Sequence, residues 1–436
     1  MPDDLQERIL EAVDALFDTQ VAFTADLVRM PSLRGQEAEA QRFYAAALEE
    51  RGYAVETLAI DLEAIRDHPG FSPVTVDYSD ALSVIGTHEP RDATGRSLIL
   101  NGHMDVVPEG PRDMWEDAAP YEPLIRDGWL HGRGSADMKA GLAANLFALD
   151  ALRSLGLQPA ARVHIQSVVE EECTGNGALH CLVAGYTADA AIIPEPEDDM
   201  LVRANTGVLW FAVHIAGRPV HVREAGTGAS AIEASHAVIE ALHEVAERWN
   251  GEKGRHPYFK DVDHPINFNV GLIEGGDWAS SVPAWCRLDC RIAIYPGDEP
   301  RRRAEEIEGH LRERLADHPF LSNNPPRVEW NGFFARGYVL EEGSQAEAAL
   351  TAAHRAATGA DLQTFVTPGY LDARVFVIYA DMPCLVYGPV SRNIHGFDER
   401  VDLASLKRVT GTIALFIADW CGVEAIETGS RRNGFE

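Results

Sequence analysis

Apolar positions recur along this chain at two periods. Leu5, Ile9, Leu10, Val13, Leu16 and Phe17 fall on one stripe, which predicts a helix over 3–18. A second helix is expected over 36–51, stopped at Gly52. Short apolar runs bounded by turn residues predict strands at about 53–59 and 81–86, with a loop over 67–73 between them. The run Ser97-Leu98-Ile99-Leu100 predicts a further strand. Residues 139–155 read as a helix capped by Gly156, and 162–169 and 190–193 as buried strands. Strand–helix–strand alternation implies an α/β layer, a mostly parallel sheet with helices on both faces. Such sheets bind ligands beyond the carboxyl ends of their strands.

The rhythm changes near Thr206. Residues 208–215 alternate as an antiparallel strand does. A helix at about 229–249, strands near 266–274 and 285–295, and a helix at about 298–316 follow. Pro325-Pro326 and Gly332 mark a return to the first style, with a helix over 342–358 and strands around Phe365 and over 382–387. We expect an α+β unit at 207–331 inserted between two parts of the first domain, 1–206 and 332–436. The length of 436 residues agrees, since single cores stop growing at roughly 250–300 residues.

The formal charge of −30 argues against nucleic acid or an anionic membrane as partner, because both need a basic surface. The acidic N-terminus has no apolar core behind it, and no run approaches the ~18 apolar residues of a membrane span. Six cysteines, with no C-x-x-C pair, predict reduced thiols and a cytoplasmic enzyme. Cys286 and Cys290 share strand parity and are expected to pack on one face rather than bind metal.

Chemistry concentrates just past the strands. His103 and Asp105 follow Leu100, Glu170-Glu171-Glu172 follow the strand at 162–169, and Glu195 follows Ile193. Asp137 and His395 lie in glycine-containing loops. One sheet edge would gather several carboxylates, and without cations like charges would force some to take up protons. Divalent metal resolves the conflict, and the expectation is a two-metal hydrolytic site. Asp137, Glu172 and Glu195 against two divalent ions leave a small positive excess, which favours hydroxide over water. Nitrogen and oxygen ligands suit zinc, with cobalt or manganese as alternatives. Asp105 is expected to accept a hydrogen bond from the second ring nitrogen of His103. Glu171 and Glu172 are neighbours and must diverge, so that one can bind metal while the other takes a proton from water.

The runs Gly102-His103-Met104-Asp105-Val106-Val107-Pro108, Gly132-Arg133-Gly134-Ser135-Ala136-Asp137-Met138-Lys139-Ala140-Gly141, Glu170-Glu171-Glu172, Glu195-Pro196 and His395-Gly396 resemble the M20 metallopeptidase family. That family includes acetylornithine deacetylase, succinyl-diaminopimelate desuccinylase, aminoacylase-1 and the carboxypeptidase G2-like enzymes. The resemblance implies a zinc-exopeptidase-like catalytic domain and an inserted lid and dimerisation domain. It implies that Asp137 bridges two metals, that His103 and Glu195 complete one, and that Glu172 and His395 complete the other. Glu171 would be the general base, and the Asp137-Met138 peptide would be cis. His221, in Gly217-Arg218-Pro219-Val220-His221, would polarise the scissile carbonyl in a partner subunit of a homodimer. Asn269, Arg291 and Arg374 would hold substrate, Arg374 by bidentate pairing with a carboxylate.

Three stretches depart from the family pattern: Cys173-Thr174-Gly175-Asn176-Gly177, residues 222–228, and Tyr370-Leu371, where two small residues are usual. These bear on specificity. The resemblance implies a metal-dependent amidohydrolase acting on an N-acyl amino acid or similar small amide, in the manner of acetylornithine deacetylase. A dipeptidase or aminopeptidase of the same family is the nearer rival, and a non-catalytic binding protein on this fold the remote one.

Overall fold

The computed structural model describes residues 1–426. Its central sheet has the order Ala54–Ala59, Leu82–His88, Val163–Val168, Leu98–His103, Ala190–Ile193, Cys384–Val386. The last four strands are mutually parallel, and Leu82–His88 runs against both of its neighbours. Strands Leu98–His103, Val163–Val168 and Ala190–Ile193 are buried at every position. Continuous burial, in place of alternation, is what a parallel sheet covered on both faces produces. Adjacent residues of one strand reach opposite cores. Val84 packs with the long helices Asp3–Val28, Ala140–Ser154 and Leu403–Trp420, while Ile85 packs with Leu179 and Val375 of the helices Asn176–Val183 and Ala373–Tyr379.

The first helix runs ten residues beyond the expected end at 18, to Val28. Gln20 and Thr24 interrupt the apolar stripe in sequence yet are buried, and Gln20 Nε2 donates to Thr410 Oγ1 at 2.8 Å. The helix Leu403–Trp420 is absent from the sequence reading because it is apolar almost all round and shows no stripe.

A second sheet, Phe268–Gly275, Trp285–Ile294, Gly207–Ala216, Arg327–Ala335, is antiparallel throughout. Helices Ala231–Asn250 and Pro300–Arg314 cover one of its faces and close a separate apolar core. Its last strand continues to Ala335, past the expected boundary at 331. Cys286 and Cys290 are both buried in this core, and all six cysteines are unpaired. A small sheet, Ser391–Arg392, Arg400–Asp402, Trp129–His131, Leu124–Arg126, holds the loop that carries His395. Among the described residues no helix is long and apolar enough to cross a membrane.

Trp249 anchors the second core. Its ring is fully buried under the Arg303 guanidinium, 4.7 Å from the ring centre, and its Nε1 donates to Glu306 at 3.0 Å. Trp249→Ala is expected to cost roughly 3–5 kcal/mol of stability in denaturant unfolding.

Candidate functional site

Three parallel strands deliver their ends to one place. His103 is the last residue of Leu98–His103, the glutamates follow Val163–Val168, and Glu195 lies two residues beyond Ile193. His103 Nε2 is 3.1 Å from Asp137 Oδ1, 3.7 Å from Glu195 Oε1 and 4.0 Å from Glu171 Oε2. His395 Nε2 is 3.3 Å from Asp137 Oδ2 and 3.1 Å from Glu172 Oε2. The two oxygens of Asp137 thus meet different histidines. Ligand-capable atoms of His103, Asp137 and Glu172 all lie within 4.8 Å of one another.

The Asp137 loop is pinned by a buried ion pair that the sequence reading missed. Arg133 Nη1 donates to Glu399 Oε2 at 2.5 Å, and the backbone N–H groups of Ala136 and Asp137 donate to Glu399 Oε1 at 3.0 and 3.1 Å. Arg133 Nη2 also donates to the carbonyl of Gly396 at 2.9 Å. One carboxylate therefore registers the Asp137 loop against the loop of His395. In sequence, Asp398-Glu399-Arg400 reads as a solvated turn, so nothing local marks Glu399 as buried. The Asp137-Met138 peptide is cis.

The three adjacent glutamates separate. Glu170 takes a left-handed backbone (φ +69°) and turns away. Arg34 holds it through Nε at 2.5 Å and Nη2 at 2.7 Å, with Tyr78 and Thr174 also donating to it. Glu171 and Glu172 are left at the cluster. Asp105 is present beneath it, but with a different contact from the one expected. His103 Nδ1 lies 2.8 Å from the Asp105 backbone carbonyl and 3.6 Å from its carboxylate. The carboxylate instead accepts the Glu172 N–H at 3.1 Å. The strand ends at His103, and the chain bends there to bring the carbonyl under the ring. A carbonyl only accepts, so Nδ1 carries the hydrogen and Nε2 is free to bind a cation.

Charge in the cluster is unresolved by protein groups alone. Burial pushes Glu171 well above the usual carboxylate range; His103 pulls it back, while Glu195, Asp372 and Glu172 push it further. Glu195 rises for the same first reason, and its Oε1 is buried without a hydrogen-bond partner. Burial alone would also raise Asp137, yet hydrogen bonds from His103 and His395 hold it below its ordinary value. Burial would lower His103, but Glu195, Asp105 and Asp137 outweigh it and the net shift is upward. His395 is pushed up to about 11, chiefly by Glu172. Two imidazole nitrogens, a shared carboxylate and an orphaned glutamate oxygen fit divalent cations held by oxygen and nitrogen donors.

The resemblance-derived substrate residues make no hydrogen bond or ion pair with this cluster among the described residues. His221 is exposed, and its Nδ1 accepts the nearby Arg223 N–H at 3.1 Å. Asn269 is exposed on the edge strand, directly opposite Arg291. Arg291 Nη2 donates to the carbonyl of Pro368 at 3.3 Å; burial lowers its pKa, and it has no ion pair among the described residues. Arg374 does not fit the expected carboxylate clamp. It is fully buried, with Nε on Tyr370 Oη at 2.9 Å and Nη2 on the carbonyls of Gly70 at 3.1 Å and Thr174 at 3.4 Å. Tyr370 takes the Nε of that guanidinium, while its Nη1 is buried without a partner.

Residues 99–419 match the family model described as peptidase family M20/M25/M40. The chain belongs to this family. It is 30% identical over 443 aligned positions to N-formyl-4-amino-5-aminomethyl-2-methylpyrimidine deformylase of Bacillus subtilis (strain 168), covering 96% of this chain and 97% of that protein. It is 28% identical to succinyl-diaminopimelate desuccinylase of Dechloromonas aromatica (strain RCB), covering 78% of this chain and 87% of that one. The di-peptidase Dug1p from Saccharomyces cerevisiae has the same fold, with a TM-score of 0.80 over 97% of this chain and 99% of that one, at 16% identity. The M20 family is metal-dependent, and this M20 chain is a hydrolase of amide C–N bonds.

The protonated histidines give a testable pH dependence. Both imidazoles are raised, so both hold protons at pH 7 without metal, and cation binding must displace them. Titrating zinc into the metal-free protein is expected to release protons, seen as a buffer-dependent calorimetric heat. Apparent affinity should keep rising with pH above neutrality, until His395 gives up its proton near pH 11.

Proposed function

We propose that this M20 hydrolase is a two-metal deacylase that removes a short acyl group from an N-acyl amine. The observation that carries the reading is the meeting of His103 and His395 with different oxygens of Asp137, with Glu171 alongside. In this reading Asp137 is shared, His103 and Glu195 complete one site, Glu172 and His395 complete the other, and zinc is the favoured metal. Bound there, divalent cations supply Lewis acidity and bring the ionisation of water near neutral pH.

Glu171 takes the proton of the attacking water and passes it to the leaving nitrogen. Its raised proton affinity supports this, because a relay group works best when its pKa lies toward the working pH. Asp105 fixes the turn behind Glu172 and, through its carbonyl, the tautomer of His103. Arg291 and Asn269 contribute donors to the far end of the substrate. The name of the Bacillus subtilis relative favours formyl as the acyl group over the acetyl expected at first, and burial of Arg374 weakens the case for an amino-acid carboxylate beside Tyr370. The unpaired cysteines fit a reducing, cytoplasmic setting.

The enzyme acts as a homodimer in this reading. The edge strand Phe268–Gly275 exposes Leu272 and Ile273, with Trp278, Trp285, Val222 and Ile232 exposed beside it. An open apolar edge of this kind invites a second copy. Pairing there would let His221 of one subunit reach the cleft of the other and stabilise the carbonyl oxygen.

Glu171→Gln should keep its metal, by mass spectrometry, while turnover falls at least about 10²-fold; wild-type turnover would remove Glu171 from the relay. Inactive His221→Ala mixed with inactive Glu171→Gln should regain activity through hybrid dimers. Verified subunit exchange without any recovery would place His221 outside the partner's reaction.

A further inference from the structure

One residue of the loop over 66–81 bonds to the surroundings of both large sheets. The loop joins the short helix Leu62–Ile65 to the strand Leu82–His88 and has no helix or strand of its own. Ser72 lies in it, fully buried. Its N–H donates to Asn176 Oδ1 at 3.1 Å, and its carbonyl accepts Asn176 Nδ2 at 3.0 Å. Its hydroxyl donates to the Thr174 carbonyl at 2.8 Å and accepts the Phe334 N–H at 3.1 Å.

Three of these bonds go to the turn that follows Val163–Val168. Thr174 and Asn176 belong to Cys173-Thr174-Gly175-Asn176-Gly177, the stretch that departs from the family pattern. The Thr174 and Gly175 N–H groups donate to the Glu170 carbonyl at 2.9 and 2.7 Å, so the turn is closed on itself and carries Glu171 and Glu172 within it. The fourth bond goes to the second sheet. Phe334 lies on Arg327–Ala335, an edge strand, whose outward N–H groups have no strand beside them. Ser72 takes that place for Phe334. Two residues earlier the same strand meets the turn directly. A Cβ on Gly332 would lie 3.2 Å from the Cys173 carbonyl and 2.7 Å from Trp210 Cε3.

The loop is itself held on the side of the central sheet. The Gly70 carbonyl accepts Arg374 Nη2 at 3.1 Å, and Tyr78 donates to Glu170. Ser72 therefore has a fixed place between the turn and the edge strand.

We propose that Ser72 is a positioning residue for the hydrolysis: it docks the edge of the second sheet on the Glu171 turn, so that the groups holding the substrate and the carboxylate moving its proton keep one separation. The inference rests on the roles given above to Glu171, Arg291 and Asn269, and adds the contact that registers them. Arg291 and Asn269 stand on the second sheet, while Glu171 follows a strand of the central one. The leaving nitrogen meets its proton donor accurately only when those two bodies do not shift against each other.

The test uses the zinc-loaded protein, a panel of N-formyl, N-acetyl and N-succinyl amides, and three single substitutions. Ser72→Ala removes the hydroxyl. Gly332→Ala wedges the edge strand from the Cys173 carbonyl without touching the loop. Ser235→Ala is the control, since it deletes an equally buried hydroxyl that donates to the Ile232 carbonyl. With zinc content and melting temperature checked, Ser72→Ala and Gly332→Ala should each lower kcat at least about tenfold and change KM by less than about threefold. Combined, they should lower kcat no further than the larger single effect, because both break one contact. A kcat equal to that of Ser235→Ala in both variants overturns the proposal, as do effects that multiply in the double variant. Should Ser72→Ala not fold, Gly332→Ala decides by the same comparison. Hydrogen exchange of the metal-free protein reads the docking without turnover. Gly332→Ala should speed exchange over 170–177, Ser72→Ala over 327–335, and Ser235→Ala over neither; unchanged exchange in both segments overturns the docking. A wild type that cleaves no amide of the panel overturns the deacylase reading instead, and the exchange result then decides the docking alone.

Discussion

Asp137 is the constraint on which the site depends. Its two oxygens face His103 and His395, which are far apart in the chain, and Glu171, Glu172 and Glu195 crowd the same space. Carboxylates this close repel and lose hydration, so the protein must both neutralise and position them. Protonated histidines meet part of that demand in the metal-free chain, and divalent cations would meet it without protons.

Positioning is done by groups one step back. Glu399 holds the Asp137 loop through two backbone N–H groups and joins it, by way of Arg133, to the loop of His395. Glu170 performs the matching task for the glutamate turn, held by Arg34, Tyr78 and Thr174. Asp105 ties His103 to Glu172 through its carbonyl and its carboxylate. Ser72 extends the same frame to the second sheet: its hydroxyl donates to the Thr174 carbonyl at 2.8 Å and accepts the Phe334 N–H at 3.1 Å. Each of these acids or hydroxyls is buried and spent on a neighbour, which makes the frame rigid where the chemistry needs accuracy.

Beside that frame the chain is individual. Tyr370 occupies the place of a small residue, seats on Gly175 and closes Arg374 away.

Much of this was legible in one dimension. Uniformly apolar runs marked the parallel strands, and the residues just past them were His103, the glutamates and Glu195, because a strand that ends at the sheet edge must present its next side chain there. His395, likewise, was visible beside a glycine. The motif singled out Glu171 and Glu172, but the sequence could not show where Glu170 goes, since the left-handed turn that divides it from them depends on Arg34 and Tyr78 from distant segments. Nor could it show that the Asp105 carbonyl, not its carboxylate, meets His103. Glu399 passed unnoticed, and the burial of Arg374 was not foreseen, for one reason: a charged side chain looks the same in sequence whether it faces water, a ligand or a buried partner. Local pattern determined which residues lie at the ends of the strands. Only the tertiary structure decided which of those charges meet one another, because that depends on contacts between segments hundreds of residues apart.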